Sequence, residues 1–436
     1  MSVVLVISGC SRAKPGTGDS DQKAPFLFSR KPASDIIFLS TQLNPVEEAA
    51  KMRSSILKDF PGKVDFRPND NSYIYGQVDV LLHDAPASSI LIGAVHSDLV
   101  KLWEGGKLKP LENVLDGLEG RKFPESILKL SSFDGKYASY VPWMQASYIM
   151  VAHRKALAWL PEGADVENLT YAQFLEWGRR IFEKTGKRGL GFPAGSKGLM
   201  HRFFQGYLYP SFTGRTLLGF RSPDAEKMWS YFRQLWEYVN PASVSYSTMA
   251  DPLLAGDVLV AWDHTARLMK AFAQKPDDFV AFRAPAGPKG RGFMPVVSGL
   301  AVPSGSSSTD DQSMLIDYLT QPEIQLRTLE ETGFFPVLES LGESRLPPHL
   351  EMMKNAVAQQ ASGEASIPVL MPLRLGNRSE DFNLIYMLTF SRIVLEGKDI
   401  AQTLTWNAAL LQQIVDEQNM AAWYPDTSEE RPCNIE

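Results

Sequence analysis

The stretch Asp35–Pro68, "DIIFLSTQLNPVEEAAKMRSSILKDFPGKVDFRP", reads as strand, loop, helix, strand, and that reading decides the fold class. Ile36–Leu39 is a continuous apolar run, the pattern of a strand covered on both faces of its sheet. Asn44, followed by Pro45 and two glutamates, is suited to cap a helix with proline at its first position. Val46, Ala49, Ala50, Ile56 and Leu57 then form one helical stripe, which Phe60-Pro61-Gly62 ends. Next along the chain, a helix over Ile74–His83 and a short apolar strand over Ser89–Gly93 repeat the alternation. Strands alternating with helices imply βαβ units and mostly parallel sheets.

Further along, Lys155–Asn240 is mainly helical in pattern. Thr170 is placed to cap a helix that turns Phe174, Trp177 and Ile181 inward and stops at Gly186, and Ser222-Pro223 opens another with Met228, Phe232, Leu235 and Trp236 on one face. Such aromatic stripes read as core rather than as ligand contacts. Beyond Asp251 the order is helix, strand Val258–Trp262, helix, strand Phe279–Arg283, a Pro/Gly loop and strand Val296–Val302, and the last third is helical again.

Composition narrows the function classes. A chain of 436 residues is too long for one ordinary core and calls for two lobes or more. A net charge of −6 without a dense Lys/Arg cluster excludes a nucleic-acid footprint. Two cysteines exclude a disulfide framework and a cysteine metal site. His-Glu-x-x-His, Gly-x-Ser-x-Gly, Walker and Gly-x-Gly-x-x-Gly motifs are all missing, although glycosidase carboxylates need no fixed spacing. At the start, Val3–Ile7 runs into Ser8-Gly9-Cys10, which resembles a bacterial lipobox. The polar stretch Ser11–Pro25 after it has the composition of a flexible tether.

Four stretches in order carry a further resemblance: 131–157 "SSFDGKYASYVPWMQASYIMVAHRKAL", 169–181 "LTYAQFLEWGRRI", 253–269 "LLAGDVLVAWDHTARLM", and 282–337, from "FRAPAGPKGRG" to "TGFFPV". Each is mostly Gly, Pro and aromatic punctuation, but the series resembles the solute-binding proteins of carbohydrate ABC importers, the class that includes maltose-binding proteins. Ala152-His153 and Asp263-His264 depart from that pattern and leave the identity of the ligand open.

The resemblance implies an α/β, two-lobed periplasmic-binding-protein fold of type II, each lobe a mostly parallel sheet flanked by helices, with a cleft between lobes. It sets a tether over 1–34, one lobe over 35–142 with 297–332, and the other over 143–296 with 333–436. It also implies a lipid-anchored, extracytoplasmic, monomeric binder, neither an enzyme nor dependent on a cofactor or metal. Its partners would be a sugar and the importer's permease, with Cys10 the acylated residue.

A sugar needs an aromatic plate for its C–H face and planar polar groups for its hydroxyls. Trp262 with Asp263 is the first expected contact, and Trp143 with Gln145 at the first lobe crossing the next. Thr41, Gln42 and Asn44 follow the first strand, where helix capping competes with ligand contact, and His96 and Ser97 follow the second predicted βαβ strand. Ser298 and Gly299 lie at the return crossing and Phe334 at the cleft wall. Arg374 and Arg378 flank a Gly-Asn turn; reaching the cleft beside His201 or His264, they would favour an anionic sugar or sugar phosphate, and otherwise they are surface charges.

Overall fold

The computed structural model describes residues 31–43, 46–69, 73–84, 89–133, 137–306, 309–341, 346–361, 365–375, 378–426 and 432–435. Cys10 and Asn44, expected as acylation site and ligand contact, lie outside the described residues. The strands are β1 (Ile36–Ser40), β2 (Val64–Pro68), β3 (Ser89–Val95), β4 (Val141–Ala146), β5 (Tyr148–His153) and β6 (Leu190–Gly191). They continue with β7 (Val260–His264), β8 (Phe279–Phe282), β9 (Arg291–Phe293), β10 (Val296–Ala301), β11 (Phe335–Pro336) and β12 (Ser366–Pro368).

One sheet has six strands in the order β11-β4-β10-β3-β1-β2, a second has four in the order β6-β7-β5-β8, and β12 pairs with β9. β1 runs parallel to β2 and β3, whereas β10 is antiparallel to β3 and β4. In the second sheet β6 is parallel to β7, and β5 is antiparallel to β7 and β8. Both sheets are therefore mixed, which corrects the expectation of mostly parallel ones. An apolar run reports that a strand is covered on both faces and is silent on its direction. The antiparallel strands of the first sheet, β4, β10 and β11, are those that lead to or from the other lobe.

The expected core positions are packed. Phe38 of β1 meets Phe66 at 5.3 Å and Trp143 at 5.4 Å between ring centroids. Gly93 lets these rings lie against β3, since a Cβ there would sit 2.8 Å from Phe38 and 2.9 Å from Trp143. The helix Tyr171–Thr185 begins with a capping box in which Thr170 Oγ1 accepts from Gln173 N and Gln173 Oε1 accepts from Thr170 N. Its Phe174, Trp177 and Ile181 are buried as predicted. The strand expected at Val258–Trp262 instead spans Val260–His264. Gly256 ends the helix Ala250–Ala255 and the amides of Asp257 and Val258 turn back to the Pro252 carbonyl. Trp262 thereby moves from a strand end to a strand interior.

Three passages link the lobes: Ser147 joins the six- and four-stranded sheets between β4 and β5, Met294-Pro295 leads from the β9–β12 pair into β10, and the chain after β11 leaves the six-stranded sheet for the helix Pro348–Gln360 beside β8. Ser147 is their knot. Its Oγ donates to the Met294 carbonyl at 3.2 Å and accepts from Gln360 Nε2 at 3.1 Å, while its carbonyl accepts from Thr265 N at 3.0 Å.

Candidate functional site

The gap between the sheets is walled on one side by the chain turns that leave β1 and β3. Ser40 Oγ donates to the Gln42 carbonyl at 3.0 Å and Thr41 N donates to the Gly93 carbonyl at 2.9 Å, which folds the chain over the strand ends. Gln42 Nε2 donates to Thr41 Oγ1 at 3.2 Å. β3 extends two residues beyond its predicted end, so His96 and Ser97 open the helix His96–Glu104 rather than a loop. His96 Nδ1 lies 3.2 Å from the Tyr140 hydroxyl, and burial pushes the imidazole down to about 4, so it is neutral near pH 7.

The opposite wall is built by β5, β7 and the helices next to them. Tyr148, the first residue after the Ser147 crossing, stacks on Trp262 with ring centroids 4.7 Å apart and planes within 6°. Phe203 and Tyr207 approach the same indole edge-on at 5.1 and 5.3 Å. Trp262 is thus fully buried inside an aromatic cluster. Asp263 accepts from Met249 N at 2.8 Å and His264 N at 2.7 Å, and burial pushes its carboxyl up to about 6. It braces the wall from within. His264 caps the helix Thr265–Gln274 by accepting Ala266 N on Nδ1 and meets Tyr148 and Phe334 edge-on at 5.1 and 5.8 Å. Burial, with Arg267 next in effect, pushes this imidazole down to about 3.

The remaining expected residues are distributed differently. Trp143 is buried within β4 against Phe38, and Gln145 donates to the Pro336 carbonyl at 2.7 Å. Ser298 is buried, and Gly299 makes room for a ring: a Cβ there would lie 2.0 Å from Tyr140. Arg374 forks onto Glu104 at 2.8 and 3.1 Å from Nε, while Arg378 pairs with Asp381 and Glu417. Both arginines are therefore answered by carboxylates, and Arg378 is held beside its own helix.

Residues not singled out from sequence, together with His201, which was, complete the site. Arg202 feels the charge of Asp98 from the first lobe, and Glu48 of the first lobe feels that of Arg267 in the second, so charged groups of the two lobes lie within electrostatic range of one another. His201 lies within reach of both arginines, and burial drives its imidazole well below the usual histidine range. A cation in the first turn of a helix is the one sequence signal that marks Arg267, because that end of the dipole disfavours it. Two surface hollows lie elsewhere, one against Met352 and Gln359 and the other against Tyr73 and Val80.

A family model for bacterial extracellular solute-binding proteins matches residues 76–355. No curated protein matches the chain by sequence. Among solved structures, the chain is similar to the GacH receptor of Streptomyces glaucescens GLA.O, solved unliganded and with acarbose. The identity is 15% with a TM-score of 0.66 over 88% of this chain and 99% of that one. It is similar to maltose-bound MalE3 of T. maritima, at 14% identity and TM-score 0.67 over 87% and 100%. It is also similar to UgpB of Mycobacterium tuberculosis in complex with glycerophosphocholine, at 19% identity and TM-score 0.68 over 89% and 100%. At these identities the likeness shows a shared two-lobed fold.

Proposed function

Because the chain belongs to the family of bacterial extracellular solute-binding proteins, we propose that it captures a sugar or oligosaccharide between its lobes and delivers it to the permease of an ABC importer. The observation that carries this reading is that the segments after β1 and β3 bring Glu48 and Asp98 within electrostatic range of Arg267 and Arg202 of the second lobe, so polar groups of both lobes approach one another. Polar groups at strand ends hold hydroxyls, and a few crossings under a gap let two lobes close as rigid bodies. Closure excludes water and gives the loaded protein a shape that a permease can read. The lobes are taken as residues 35–142 with 297–332 and 143–296 with 333–436, with β4 and β11 of the second span reaching back into the six-stranded sheet of the first.

The structural relatives include proteins whose complexes hold acarbose and maltose, which supports a saccharide guest. The Ile7-Ser8-Gly9-Cys10 sequence supports acylation at Cys10 and a tether that keeps a monomeric binder near its permease. Calorimetry with a panel of mono- and oligosaccharides tests the reading. One site per chain is expected, with a negative heat-capacity change and a melting temperature that rises as RT ln(1 + [L]/Kd). Silence across the whole panel, in heat and in melting, overturns it.

A further inference from the structure

In the wall that the second lobe turns to the gap, two guanidinium groups, Arg202 and Arg267, both act on His201, and among the described residues neither is in direct contact with a carboxylate, the buried Asp263 reaching Arg267 only through its field. Arg202 donates from Nη1 to Gln205 Oε1 at 3.0 Å, and Gln205 Nε2 donates to Asn383 Oδ1 at 3.0 Å, so the side chain is braced from behind. Arg267 donates from Nη1 to the carbonyls of Ser247 and Lys197 at 2.8 and 3.2 Å. Among the described residues neither forms an ion pair, whereas Arg121, Arg374 and Arg378 each do. Each guanidinium has five N–H donors, and these contacts engage only Nη1, which leaves the Nε and Nη2 side of each fork for another acceptor.

Three details make this pair costly as a purely structural feature. Arg267 is the third residue of the helix Thr265–Gln274, at the end of the dipole that disfavours a cation. His201 lies within reach of both charges and stays neutral, so it adds no compensation. Thr265 Oγ1, at the start of the same helix, is buried without a hydrogen-bond partner among the described residues. Carboxylates act on the pair only from a distance, and guanidinium donors left without a direct anionic partner are suited to an oxyanion.

We propose that Arg202 and Arg267 form an anion subsite in the interlobe gap, and that the guest is a polyhydroxylated molecule carrying one phosphate-ester or carboxylate group. The proposal rests on the reading that the gap is where the guest is held. Asp98 and Glu48 on the opposite wall limit the guest to a single such group, since a second anion would meet them.

The test uses the full chain and three probes: glucose, glucose 6-phosphate and glucuronate, with inorganic phosphate as a fourth. In calorimetry the two anionic sugars should bind at least about tenfold more tightly than glucose, as charge-assisted forks do. Inorganic phosphate should raise the melting temperature above that in chloride at equal ionic strength. Arg202→Gln should bring the anionic-to-neutral ratio close to one and remove the phosphate effect. Should that variant fail to fold, Arg267→Lys, which keeps the charge and loses the fork, should still weaken the response to phosphate. Equal affinity for charged and neutral sugars overturns the subsite while leaving the saccharide reading intact. A phosphate response without binding of any sugar does the reverse. A loss in Arg202→Gln that is the same for glucose and glucose 6-phosphate also overturns the subsite, and assigns the arginine to a latch onto Asp98.

Discussion

Residue identity at the site matters through burial more than through residue type. Trp262 carries the right ring for a sugar, but Tyr148 covers one face and Phe203 and Tyr207 close its edges, so it supports the wall from inside. Nothing in the local sequence distinguishes a buried indole from a plate open to a cleft. The titrating groups of this wall give a prediction with a definite sign. His264 is held at about 3, against roughly 6.5 in an unfolded chain. Its contribution to stability is present above pH ~6.5 and is lost as pH falls toward 3, because the unfolded state takes up the proton first. Asp263, raised to about 6 from an unfolded value of roughly 3.9, acts in the opposite sense: its contribution is lost as pH rises through 6. His264→Gln should therefore flatten the fall in melting temperature between pH 6.5 and 4 by about one proton's worth, and Asp263→Asn should steepen it. Melting curves at half-unit pH intervals measure both, and no change of slope in either variant would refute the assignment.

Among the helices and strands, short-range rules hold wherever the determinants are themselves short-range. The Thr170 capping box, the Ser222 cap and the stop at Gly186 are each set by a few neighbouring residues, and each forms as its spacing implies. Boundaries shifted where tertiary hydrogen bonds intervened, as in β7, whose start is fixed by the turn back onto Pro252. Among the glycines that end helices in the described residues, Gly333 has the strictest requirement. It ends the helix Pro322–Thr332 at φ +74°, and a Cβ would lie 2.5 Å from Met269 Cγ and 2.9 Å from Ala266 Cα, on the second lobe's helix Thr265–Gln274. Gly333→Ala should cost about 2–4 kcal/mol, from left-handed strain and overpacking together. Gly186→Ala, also left-handed at φ +70° but with open space around it, should cost only about 1 kcal/mol. Chemical denaturation of the two variants side by side tests the difference, which vanishes if that contact between the lobes has slack.

For the molecule as a unit, the closure proposed above is expected to depend also on contacts made far from the crossings. Arg374, at the left-handed φ of +59°, forks onto Glu104 at the end of the first lobe's helix His96–Glu104, a pair 270 residues apart in the chain. Both side chains are about a third or more exposed, so the pair contributes about 1 kcal/mol at most. Glu104→Gln should therefore shift the balance between closed and open forms by no more than about fivefold. In small-angle scattering this would appear as a larger radius of gyration for the unliganded protein, with a smaller change at saturating ligand. Identical scattering from wild type and variant would show that the pair does not restrain the lobes.

That this is a two-lobed α/β chain with capped helices and buried strands was legible in the order of its residues, because apolar periodicity and capping chemistry act within a few positions. The order of four stretches also showed which family the chain resembles. Strand direction was settled only by the folded arrangement. So was the closing-off of Trp143 and Trp262 from the gap, the answering of Arg374 and Arg378 by carboxylates, and the absence of such an answer for Arg202 and Arg267 among the described residues. Each of those outcomes depends on residues brought together from distant parts of the chain, and pairing and burial at that range leave no periodic trace in the sequence.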